Sequence, residues 1–362
     1  MEVKTGGAEL DAGQLERYLK IASREGFNAL LTVSHQIVAS PNEQPAPVDG
    51  RLLKKVDLRH ISWFRIFTEA VVEREHLGVS DPEQARVLGD LIAFMDDERP
   101  GAGGYQGMGA SWVTVREAAA QGLLGPGTRG VREVADDWSQ FLQYLCLRLR
   151  QDLGRPVTES YPKDSDAAGR YRGYAKTLGE EGRLEGSIKV PDAVAPITVE
   201  VDLGKRRVTT RLRVTAPREG RAKTRINWLL RQLRETPPDL RVEAHYPYAH
   251  HPPLALVSEA RARPDMLVLR DDPKRAPTYF DLALTRSMGM KRGKAPRSFV
   301  TETARRVLEF YGTVVQQIRV KRTVRAPQIP PDARGAEESP AEGRRHPASE
   351  PELAESTPPL VP

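Results

Sequence analysis

Glu2-Val3-Lys4-Thr5-Gly6, followed by Gln14-Leu15-Glu16-Arg17-Tyr18, is the stretch on which the fold turns. Glu2 to Thr5 reads as the end of a strand, and Gly6-Gly7 as the turn that leaves it. Between Leu10 and Glu25 the apolar residues Leu15, Tyr18, Leu19 and Ala22 recur at helical spacing, and Gly26 closes that helix as a C-terminal glycine. Phe27 to Val38 is a short apolar run with Leu30, Leu31, Val33, Ile37 and Val38, the pattern of a strand. The opening is therefore strand, helix, strand. A crossover helix between two strands of one sheet makes those strands parallel neighbours.

The same residues carry chemistry. Residues two apart on a strand project to one face, so Glu2 and Lys4 stand together, roughly 7 Å apart at their backbones. A carboxylate there can hold a hard divalent cation such as Mg²⁺ through oxygen. The neighbouring ammonium can orient an attacking water near a phosphate, while the metal stabilises charge on the phosphodiester and activates that water. Gln14 and Tyr18 are four apart on the next helix and share a face. Their polar heads can reach a phosphate or Lys4. A Glu-x-Lys tripeptide by itself also serves as a surface ion pair; the strand–helix–strand setting and the Gln14–Tyr18 pair are what add weight to the site.

With these residues the chain resembles the PD-(D/E)xK nuclease superfamily, the restriction-endonuclease-like fold. Glu2-Val3-Lys4 matches its carboxylate-x-lysine half-motif at a strand end, and Gln14 and Tyr18 match the glutamine and tyrosine of its RecB-like branch. The resemblance implies a Mg²⁺-dependent DNA phosphodiesterase ancestry with Glu2 as metal ligand, Lys4 as water-positioning group, and Gln14 and Tyr18 in support. It also implies a first acidic residue on an earlier strand. Only Met1 precedes Glu2, so the expectation is a truncated core, inactive as written: either the start is internal to a longer reading frame or the chain is a remnant. Val56-Asp57-Leu58 onward and Asp192-Ala193-Val194-Ala195-Pro196 resemble large actinobacterial proteins labelled stress-response proteins, in which a nuclease-like domain precedes helical and β-rich segments.

Beyond Ser40 to Gly50, a Pro-rich connection, Leu58 to Leu77 reads as a helix through Ile61, Phe64, Ile66, Phe67, Ala70 and Val71. Ser80-Asp81-Pro82-Glu83 and Thr114-Val115-Arg116-Glu117 read as capping patterns, with Ser80 and Thr114 as caps. Val131 to Leu149 is a longer amphipathic helix. Strands are expected at Gly186–Val190, Ile197–Leu203, Val208–Thr215, Leu240–Ala244, Leu254–Val257 and Met266–Leu269. Helices are expected at Lys223–Arg234 and Val300–Val320. The fold class is thus α/β and α+β: a partial nuclease-like core over 1–50, a helical layer over 51–153, a second unit with a terminal helix over 160–325, and a disordered acidic, Pro-rich tail over 326–362.

The 362 residues carry a formal charge of +6 and a pI of about 9.4. The tail holds three arginines against seven acidic residues, a net of −4, which leaves +10 on the body. A basic body is compatible with nucleic acid as a partner and equally with a solvated surface. Lys291, Arg292, Lys294 and Arg297, followed by Arg305-Arg306 and Lys321-Arg322, could follow a phosphate backbone or form a solvated basic face. A non-catalytic scaffold that binds nucleic acid or a protein in a stress response is the competing reading. No apolar run approaches a membrane span, and the first residues lack a secretory stretch. One cysteine, Cys146, in an apolar helical run, fits a buried thiol in a reducing, cytoplasmic compartment.

Weaker signals are read as structure. The glycines from Gly101 to Gly109 lack the Lys-Ser/Thr of a phosphate loop. His245, His250 and His251 lie among prolines at no zinc spacing and read as a loop. Arg263-Pro264-Asp265 reads as a turn.

Overall fold

A computed structural model describes residues 1–5, 8, 10–38, 43–96, 104–105, 107–161, 167–291, 293, 297–319 and 326–329. The chain opens with strand β1 (Glu2–Val3), helix α1 (Ala12–Arg24) and strand β2 (Ala29–Ser34). After a single turn, α2 (Gly50–Leu53), come strand β3 (Asp57–Ser62) and helix α3 (Trp63–Val72). The three strands form a parallel sheet in the order β1-β2-β3, with Glu2 beside Thr32 and Thr32 beside His60. Asp11 starts α1 by accepting from Gln14 N, and Gly26 (φ 79°) takes the left-handed turn that ends it. Leu15 and Leu19 of α1 pack on Leu30 and Leu58, so one face of the small sheet carries its own core.

The strand β3 corrects the helix expected from Leu58 to Leu77. Leu58, His60 and Ser62 alternate inward, a period of two that polar His60 and Ser62 mask when only apolar residues are followed. The helix starts at Trp63, where Ser62 accepts from Arg65 N, and a π-helical turn, Glu73–Leu77, finishes it.

Helices α4 (Pro82–Asp96), α5 (Trp112–Ala120) and α6 (Val131–Leu153) follow. Asp81, not Ser80, caps α4, accepting from Glu83 N and Gln84 N. Thr114 lies inside α5, which Ser111 precedes, so the second capping expectation is also corrected. A two-residue strand, β4 (Thr158–Glu159), and helix α7 (Ala167–Glu181) lead into the larger sheet. Its next members are β5 (Arg183–Lys189), β6 (Ile197–Asp202) and β7 (Arg207–Thr215). Helix α8 (Ala222–Leu230), strands β8 (Arg241–His245) and β9 (Leu254–Leu256), and helix α9 (Val257–Ala262) come next. Strand β10 (Tyr279–Ser287) and helix α10 (Phe299–Thr313) complete the fold.

The second sheet is antiparallel, in the order β4-β5-β6-β7-β10-β8-β9. Met266–Leu269 does not join it. Pro264 opens a 3₁₀ turn through Leu267 there, because proline fixes φ and offers no N–H to a ladder. β10 sits between β7 and β8 instead. Gly186 lets α6 come down onto β5, since a Cβ at that position would lie 2.4 Å from Leu142. Under the sheet, Trp112, Trp138, Phe141 and Phe299 form one aromatic cluster, with the Trp112 and Phe299 rings 4.4 Å apart. Cys146 is buried within α6, and burial raises its thiol pKa well above the ordinary value.

Residues Met1–Gln328 form one compact unit; the second, Ile329–Pro362, falls outside the described residues apart from Ile329, and with it the expectation of a disordered tail. Ala326 is buried, and Pro327 offers its carbonyl to the Tyr311 hydroxyl. Among the described residues no helix is long and apolar enough to cross a membrane. Ser298 starts α10 by accepting from Thr301 N at 3.1 Å and is fully buried. Ser298→Ala is expected to lower stability by about 1–2 kcal/mol, seen as a fall in the urea midpoint; an unchanged midpoint would refute the cap.

Candidate functional site at the ends of the parallel strands

The three parallel strands end together, and their carboxyl ends hold a row of polar side chains on the face covered by α1. In open α/β sheets this is where ligands bind, because strand ends and the following connections leave a crevice. β1 supplies Glu2 and, just past it, Lys4; β2 supplies Thr32 and Ser34; β3 supplies His60 and Ser62. The period of two places these on one face.

Lys4 Nζ lies 3.3 Å from Glu2 Oε1, with the two side chains 25% and 16% exposed. The Gln14 side-chain amide donates to the same oxygen at 3.2 Å and to the Tyr18 hydroxyl oxygen at 3.0 Å. All four residues singled out in the sequence therefore meet in one hydrogen-bonded cluster. Both contacts to Glu2 fall on Oε1, and Oε2 is the oxygen a cation would take. The strand end that carries Lys4 is clamped twice. Its N–H donates to Val33 O at 2.8 Å, and its carbonyl accepts from Trp63 Nε1 at 2.7 Å. Trp63, the first residue of α3, thus ties β1 to the start of a helix that follows β3.

Behind the cluster lies a pair that sequence reasoning missed. His60 is 4% exposed and Thr32 is fully buried, and His60 Nδ1 sits 2.9 Å from Thr32 Oγ1. His60 Nε2 sits 2.9 Å from the carbonyl of Gln36. Burial lowers the pKa of His60; the Gln36 carbonyl partly offsets this, and nearby His35 adds to the lowering. A neutral ring then has one arrangement that satisfies both partners: Nε2–H donates to Gln36 O, and Nδ1 accepts from the Thr32 hydroxyl. The signal for this pair is register. His60 is 28 residues from Thr32 and meets it only because the two strands pair in parallel.

The other sequence candidates separate. Arg292 and Lys294 lie outside the described residues. Lys291 forms a bridge with Ser298, and Arg297 has a positive φ of 62° in the turn before α10. Arg305 and Arg306 pair with Glu302, and Arg306 also with Glu309, so that helix face carries balanced charge. Among the glycines expected in the loop before α5, Gly101 and Gly103 lie outside the described residues. His245 ends β8, where its ring stacks on Tyr279 at 4.3 Å and its Nε2 lies 3.3 Å from Asp281. Tyr279 also has the Arg213 guanidinium 4.3 Å from its centroid, and Arg213 makes a double contact with Asp281. That ladder is built from cross-strand partners on one sheet face.

Among the described residues no group of three or more His, Cys, Asp or Glu side chains is placed to hold a metal ion. Among the described residues Glu2 is the sole carboxylate of the cluster. Mg²⁺ is commonly held by one or two carboxylates with substrate phosphates and water completing its shell, so Glu2 fits one such contact. No protein-family model, no curated protein and no solved structure matches the chain.

Proposed function

We propose that this chain carries the Glu-x-Lys half of a Mg²⁺-dependent phosphodiesterase site acting on DNA, and that with one carboxylate it is a weakly active or inactive descendant of such an enzyme. The observation that carries the reading is the single cluster of Glu2, Lys4, Gln14 and Tyr18, in which the Gln14 amide bridges the Glu2 carboxylate and the Tyr18 hydroxyl.

Each group has a chemical task in that reading. Glu2 would hold the cation through Oε2 while Oε1 stays fixed by Lys4 and Gln14. When bound, Mg²⁺ supplies charge stabilisation at the phosphate and a more acidic water. The Lys4 ammonium, held beside Glu2, positions the attacking water and balances charge on the phosphate oxygens. Gln14 fixes the rotamers of Glu2 and Tyr18 together, so the Tyr18 hydroxyl proton is directed away from the amide, toward a substrate oxygen. Loss of either clamp on the Lys4 backbone would leave the ammonium free to swing, and misplacement by about 1 Å is enough to cost roughly 100-fold. One carboxylate lowers the ligand count and hence the metal affinity, in line with weak or absent turnover.

The test is cleavage of linear and single-stranded DNA with Mg²⁺ or Mn²⁺, by this chain and by a form extended upstream in frame, each beside its Lys4→Ala partner. Cleavage that falls by about 10²–10⁴-fold with Lys4→Ala is the expected result. Cleavage untouched by Lys4→Ala, or silence from every folded form with metal present, overturns catalysis and leaves the scaffold reading. Salt-dependent DNA retention would then decide between a nucleic-acid and a protein partner.

A further inference from the structure

The face of the parallel sheet opposite α1 holds a different feature. β2 is the central strand, and apolar side chains on a central strand are ordinarily covered on both faces. Val33 obeys this at 4% exposure, whereas Leu31, two residues earlier on the same face, is 40% exposed. Leu31 opens onto a cavity of about 310 Å³ between this face and α6. Leu31, Val38 and Ile61 on the sheet side and Leu147 on α6 give it an apolar wall, and His60, Ser62 and Gln143 add polar groups to the lining. That volume lies at the lower end of the range of small-molecule sites, which are mostly apolar with few polar groups.

Charge sits at one side of it. Arg65 of α3 lines the cavity and pairs with Glu69 at 3.2 Å. The same Glu69 carboxylate also takes Arg150 of α6, at 2.6 Å. Two guanidiniums share one carboxylate, so the rim carries a cationic excess beside an uncovered apolar wall. Arg59, also on the lining, is paired with Asp57. An uncharged apolar guest would leave the excess charge unanswered, and a cationic one would be repelled. An anion of compact, planar head group suits a guanidinium, which donates in a fork.

We propose that this cavity binds a free amphiphilic carboxylate, a single medium-length hydrocarbon chain lying against Leu31, Ile61 and Leu147 with its carboxylate at Arg65. The Glu2–Lys4 cluster lies on the other face of the sheet, although His60 and Ser62 of the strand-end row also line this cavity.

Decanoate, decanol and decyltrimethylammonium, each below its micellar concentration, serve as probes in equilibrium dialysis with the full chain. The proposal expects saturable 1:1 binding of decanoate, about tenfold or more tighter than decanol, with decyltrimethylammonium weakest; one charge-assisted contact is worth roughly that factor. Arg65→Gln should weaken decanoate about tenfold and leave decanol unchanged. Its side chain is 44% exposed and Glu69 keeps Arg150, so the fold survives that change. Leu31→Trp, at an exposed position, fills the space and should abolish binding of every probe, while circular dichroism verifies folding. Non-saturating uptake, equal affinity for all three head groups, or decanoate binding indifferent to Leu31→Trp overturns the proposal.

Discussion

Replacing Trp138 by alanine is expected to lower stability by about 3–5 kcal/mol. Trp138 is fully buried on α6, with its ring 5.9 Å from Phe141 and 6.5 Å from Phe299. The indole therefore joins three parts of the molecule: α6 itself, α10 through Phe299, and the sheet through Nε1, which donates to Glu185 O on β5. Truncation removes the apolar transfer of the ring system and leaves a cavity among side chains that are themselves large and fully buried, so collapse is limited. It also removes the donor from the Glu185 carbonyl. Trp138→Phe keeps most of the ring volume and loses the N–H alone, so its loss should be clearly smaller. Urea unfolding followed by far-ultraviolet circular dichroism measures both. A loss below about 1 kcal/mol for Trp138→Ala would mean that this cluster is not the point where helices and sheet are joined.

The elements differ in how plainly the chain announces them, for physical reasons. The first parallel pair was legible because Leu15, Leu19 and Ala22 keep helical spacing between the Glu2–Thr5 strand end and the apolar run from Phe27, whose Leu30 buries against that helix. The four-residue cluster was legible because its spacings are local: two along a strand for Glu2 and Lys4, four along a helix for Gln14 and Tyr18. β3 was hidden because its inward positions include His60 and Ser62, whose burial is stabilised by hydrogen bonds and so carries no apolar signature. β10 shows the opposite case. Phe280, Leu282 and Leu284 alternate inward in strict period two, a pattern the sequence does carry, whereas the apolar run Met266–Leu269 lacks it and begins within a 3₁₀ turn instead of forming a strand. What no local reading supplies is register. The Thr32–His60 pair, the Trp63 clamp on Lys4 and the Arg65–Glu69–Arg150 bridge each join residues on different elements.

His60→Leu is expected to cost about 1–2 kcal/mol near neutral pH, because leucine leaves the half-buried carbonyl of Gln36 without its donor. Thr32 keeps an alternative acceptor in the Arg59 carbonyl, 3.1 Å from its hydroxyl, so the Gln36 side dominates the loss. The pH dependence has a definite sign. The folded-state pKa of His60 lies below 6.5, chiefly through burial. Between that lowered value and 6.5 the unfolded chain binds the proton and the folded chain does not, so stability rises with pH across the window. The His60 contribution is thus complete above about pH 6.5 and is lost as pH falls toward the folded value. Asp137 acts in the reverse sense. Burial raises its carboxyl from 3.8 to about 6, so the folded state holds the extra proton and that contribution fades as pH rises through about 6. Comparing wild type with His60→Leu cancels Asp137, which both share. The stability gap between the two proteins should be widest above about pH 6.5 and narrow steadily in acid, measured as urea midpoints over roughly pH 5 to 8. A gap that widens in acid would mean that His60 is charged in the folded protein. Both ring nitrogens would then donate, and Thr32 would have turned its proton to Arg59, placing a buried cation directly behind Glu2 and Lys4.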